Sequence, residues 1–63
     1  MTIDTKIKIL LKSKLELVLG LYQDKYYIKY PNKEEWMEIP TDDKNMAVLY
    51  FNEENRRIAA EGK

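Results

Sequence analysis

Three observations predict an all-β fold: a four-stranded antiparallel meander followed by a C-terminal β-hairpin. Residues 3–21 place an apolar side chain at nearly every odd position: Ile3, Ile7, Ile9, Leu11, Leu15, Leu17, Leu19 and Leu21. That period of two marks two strands sharing one buried face. Polar segments then recur at turn-like intervals, Lys12-Ser13-Lys14, Gln23-Asp24-Lys25 and Asn32-Lys33-Glu34-Glu35. Finally, the registers those turns imply keep apolar residues opposite one another across each hairpin, as a one-sided sheet requires.

The first two strands follow from the opening alternation. A three-residue loop at Lys12-Ser13-Lys14 sets Leu11 against Leu15, Ile9 against Leu17, Ile7 against Leu19 and Thr5 against Leu21. A helix is the competing reading, since Leu, Lys and Glu are good helix formers. The alternation of Ile3, Ile7, Ile9 and Leu11 with Asp4, Lys6 and Lys8 fits a strand better. Residues 15–22 and 26–30 form the second hairpin around Gln23-Asp24-Lys25, with Leu21 facing Ile28, Leu19 facing Tyr30 and Tyr22 facing Tyr27 outside. In the third, Tyr30 meets Met37 and Ile28 meets Ile39 inside, while Lys29 meets Glu38 outside. Leu19, Leu21, Ile28, Tyr30, Met37 and Ile39 are the expected core. Gly20 reads as a bend or bulge in its strand, or as room for a bulky neighbour.

The C-terminal third has two readings. Thr41-Asp42-Asp43 after Pro40 could cap a helix running to about residue 61, which the Ala59-Ala60 end favours. Against it, residues 46–51 are apolar on all sides and include β-favouring Val, Tyr and Phe. Asn52 and Asn55 would also fall in the helix interior, where their side chains compete with the backbone. A hairpin of residues 47–51 and 56–60 around Asn52-Glu53-Glu54-Asn55 is preferred. It would complete the meander, with closure into a small SH3-like barrel as one form. The alternative is α+β: the same four-stranded sheet with one C-terminal helix.

Composition narrows the chemistry. The 63 residues form one small domain without Cys or His, so disulfides and the usual zinc and haem ligand sets are excluded. No EF-hand-like spacing appears, and no metal or cofactor is expected. Eleven basic and eleven acidic residues leave a formal net charge of zero, hence no bulk field for nucleic acid or anionic membrane. The sequence has no apolar run of transmembrane length and no signal-peptide pattern, so a cytoplasmic protein is expected. A chain this short buries only about 60% of its unfolded surface, which makes self-association a reasonable source of added stability.

An enzyme is not expected. Ser13, the one serine, lies in a Lys-flanked turn without a base. The carboxylate pairs Glu34-Glu35, Asp42-Asp43 and Glu53-Glu54 fall in predicted connections, where solvated charge is the ordinary role. Two isolated glycines cannot cradle a phosphate. Lysines 6, 8, 12 and 14 suit an edge protected from pairing with other chains, and Arg56-Arg57 reads as a solvated basic pair.

The seven aromatics carry the functional expectation. Strand parity points Tyr30 inward and leaves Tyr22, Tyr27 and Trp36 on the outer face near Leu10 and Val18. Either the C-terminal segment folds over that face or barrel closure covers it, or the face is a binding surface. Tyr and Trp bury large areas at low entropic cost, as protein interfaces require. The expected function is therefore a non-enzymatic protein-interaction module that self-associates or docks on a protein partner through Tyr22, Tyr27, Trp36 and Lys29. The alternative is a single-stranded nucleic-acid binder using the same aromatics with Lys25 and Lys29. Neutral charge and the acidic residues around Trp36 weigh against that. No small-molecule substrate is evident. The composition, rich in Lys, Ile, Tyr, Glu and Asn, resembles that of small accessory or inhibitor proteins of mobile elements, a likeness carried by no motif.

Overall fold

The C-terminal third decides the architecture. In the computed structural model, which describes residues 6–62, it is one helix, α1 (Lys44–Glu61), and the chain is α+β. Before it, β1 (Lys8–Lys12), β2 (Val18–Tyr22), β3 (Lys25–Lys29) and β4 (Trp36–Glu38) form one antiparallel sheet in the order β1-β2-β3-β4. The expected meander is present. The expected C-terminal hairpin is not, so the all-β class and the barrel give way to the helix-covered alternative.

Local chemistry explains why the helix wins. Asp43 is its N-cap, with the carboxylate accepting the Asn45 backbone N–H at 2.8 Å. Thr41 Oγ1 in turn accepts the Asp43 N–H at 3.1 Å. At the other end the Gly62 N–H donates to the Ile58 carbonyl at 2.9 Å. Ala47 and Phe51, one turn apart, are buried, and Val48 and Ile58 pack against the same cluster. Met46, Leu49 and Tyr50 instead face solvent, which is why residues 46–51 look apolar all round. Within the helix, Asn55 Oδ1 is shut away from solvent without a hydrogen-bond partner among the described residues. Packing of the apolar stripe overrides that local cost of about 1–3 kcal/mol.

The core lies between α1 and one sheet face, joining Leu17, Leu19, Tyr26, Ile28 and Ile39 to Ala47 and Phe51. Leu10, Leu21 and Tyr30 pack at its margin. Of the expected core, Met37 departs most: it lies on the helix side of edge strand β4 and stays 49% exposed.

Hairpin registers differ from the sequence reading in an instructive way. The β2–β3 connection is the two-residue turn Gln23-Asp24, with φ of 51° and 64°, as a type I′ turn requires. It pairs Leu19 with Ile28, Leu21 with Tyr26 and Gly20 with Tyr27. The β3–β4 pairing is Ile28 with Met37, Lys29 with Trp36 and Tyr27 with Glu38. Both registers slip by two residues from expectation. An even slip changes partners but not faces, so the inward and outward assignments on β2 to β4 survive.

The first hairpin departs further. Its loop spans residues 13–17, where Ser13 Oγ accepts the N–H groups of Leu15 and Leu17, each at 3.1 Å. The turn brings Glu16 to φ 69°. β1 then carries an irregularity between Ile9 and Leu11, so that Leu11 faces Leu19 while Ile9 faces Gly20. One extra residue in a strand reverses the parity of what lies beyond it. Leu10 therefore packs on the core, whereas Ile7 and Ile9 go to the opposite face, against the shared face expected of the odd positions. Ile9 is 51% exposed; Leu11 and Leu15 are exposed as well. The expectations for Ile3, Asp4 and Thr5 lie outside the described residues. Among those described, no helix is long and apolar enough to cross a membrane.

A polar staple ties the second half of α1 to Tyr30, the residue that follows β3. The Tyr30 hydroxyl donates to Glu54 Oε1, and Arg57 donates to both Glu54 oxygens and to Glu61. Partial burial and the Glu54 carboxylate hold the Tyr30 phenol well above its ordinary range. Hydrogen bonds from Arg57 and Tyr30 hold Glu54 below the usual carboxylate range. The Glu54 contribution to stability is thus present above about pH 4.3 and is lost as pH falls through its depressed folded value. The Tyr30 contribution has the opposite sense: present below about pH 10 and lost as pH rises through the raised folded value. In an alkaline absorbance titration at 295 nm, wild-type protein should show a late tyrosinate phase that Tyr30→Phe removes. A titration with no late phase would contradict the staple.

Candidate functional site

With α1 on one face, no described element packs on the opposite face of the sheet, and the four expected binding residues, Tyr22, Tyr27, Trp36 and Lys29, lie on it. Pair registers set the rows: Lys12, Val18, Lys29 and Trp36 in one, and Ile9, Gly20, Tyr27 and Glu38 in the next. Tyr22 with Lys25 makes a third. Tyr22, Tyr27, Trp36 and Lys29 are all half-buried. Tyr22 and Tyr27 rings lie 6.4 Å apart between centroids, tilted by 57°, within the favourable range for aromatic pairs. Lys29 Nζ stands 5.8 Å from the Trp36 ring centroid, a cation–π contact. Lys25 reaches Glu38 at 3.4 Å, taking the carboxylate that was expected to pair with Lys29.

Gly20 organises the centre of this face. A Cβ built there would sit 2.6 Å from Ile7 Cδ1, 2.8 Å from Ile7 Cγ1 and 3.2 Å from Trp36 Cζ3. Of the readings offered for Gly20, room for bulky neighbours is the one that applies. Ile7 and the Trp36 ring converge over the bare backbone from opposite sides, and Ile7 is buried there, outside the helix-side cluster. Sequence reasoning missed Ile7 and Ile9 because the β1 irregularity that turns them to this face leaves no composition signal. Leu10, expected near the aromatics, lies on the other side.

The charged groups of the face and its surroundings are largely engaged within the chain. Lys12 is engaged by Glu16 at 3.2 Å, Lys25 by Glu38, and Lys29 by Trp36, so the cations of the face are tied to their own chain. Glu34, Glu35, Asp42, Asp43 and Glu53 are exposed, and Glu54 is taken up by Tyr30 and Arg57. Among the described residues no three carboxylates gather as a metal-binding group. A groove of about 510 Å³ opens beside the end of α1, lined by Tyr30, Pro31, Lys33, Met37, Arg57 and Ile58 among others. Its Arg57 is held between Glu54 and Glu61.

Packing over Gly20 yields a quantitative expectation. Gly20→Ala should cost about 1–3 kcal/mol in urea unfolding, because its methyl overpacks against Ile7 and Trp36. In an Ile7→Ala background the same substitution should cost at least about 0.5 kcal/mol less, the coupling of residues in contact. Strict additivity would mean that the two positions do not meet over the sheet.

Compared with protein-family models, curated proteins and solved structures, the chain matches none.

Proposed function

We propose that the chain is a non-enzymatic protein-interaction module that docks on a protein partner through the open face of its sheet. Tyr22, Tyr27 and Trp36 act as anchors and Lys29 as the charged rim. The observation that carries this reading is the placement of α1, the one helix among the described residues. It covers the aliphatic face, and no described element packs on the aromatic one, whose rings are half-buried. Half-buried rings that are already oriented by neighbours lose little entropy on binding, which favours them as interface anchors. The carboxylates weighed for acid–base work are exposed or taken up in the Tyr30–Glu54–Arg57 staple, which supports a binding role over catalysis.

Lys25 and Lys29, the cations that a single-stranded nucleic acid would use, are engaged by Glu38 and Trp36. That engagement favours a protein over a polyanion, because phosphate would have to compete for both.

A photo-reactive phenylalanine analogue at Tyr27, introduced into the chain in its native cell, tests the reading. A matched probe at Leu49, on the exposed side of α1, serves as the control. Protein adducts should form from position 27 and be at least several-fold weaker from position 49. Equal labelling from both positions, or no protein adduct from position 27, would overturn the docking role.

A further inference from the structure

We draw no further inference here: the strongest candidate, the groove beside the end of α1 lined by Tyr30, Pro31, exposed Met37 and Ile58, is an unpartnered apolar surface whose Arg57 is already held by Glu54 and Glu61, and nothing in the structure shows what covers it.

Discussion

The rest of the structure depends on the packing of the Ala47–Phe51 stripe of α1 onto β2 and β3. Ala47 brings the helix close to the sheet, and Phe51 enters the cluster of Leu17, Leu19, Ile28 and Ile39. Each large apolar side chain so buried contributes about 1.5–3 kcal/mol, against a net stability that is small in any domain of this size. Neither layer has another apolar partner among the described elements. A lone helix of 18 residues is marginal in water, and a sheet this small needs a packed face. Asp43 caps the start of the helix and the Tyr30–Glu54–Arg57 staple ties its second half; the stripe holds it down.

This packing also decides what the protein can offer. Because α1 covers one face, the half-buried aromatics lie on the face that no other described element covers. Gly20 lets that surface pack partly on itself, since Ile7 and Trp36 lie over its backbone. The aromatic pair of Tyr22 with Tyr27 and the lysine over Trp36 hold side-chain positions on that surface. Gly20, which the sequence marks as a bend or bulge or as room for a bulky neighbour, is thus central to the shape of the candidate site.

Parity along the strands was the legible part of the fold. It placed Tyr22, Tyr27, Lys29 and Trp36 together, because the two-residue register slips of the second and third hairpins preserve faces. The irregularity in β1 was not legible, since Ile9, Leu10 and Leu11 are all good strand residues and nothing in their order marks an extra one. Helix α1 was misread for a different reason. Exposed Met46, Leu49 and Tyr50 blur the helical period, and Asn55 sits where its carbonyl finds no partner. Only the tertiary fit of Ala47 and Phe51 against an existing sheet resolves the ambiguity, and that fit is not a local property of the segment.

If the stripe couples the two layers as described, helix and sheet cannot unfold apart. The direct measurement is equilibrium urea unfolding followed at once by circular dichroism at 222 nm, which reads α1, and by Trp36 fluorescence, which reads the open face of the sheet. The two curves should superimpose with one midpoint and one slope. A helical signal lost well before the Trp36 signal changes would show that the sheet stands without α1, and would contradict the account.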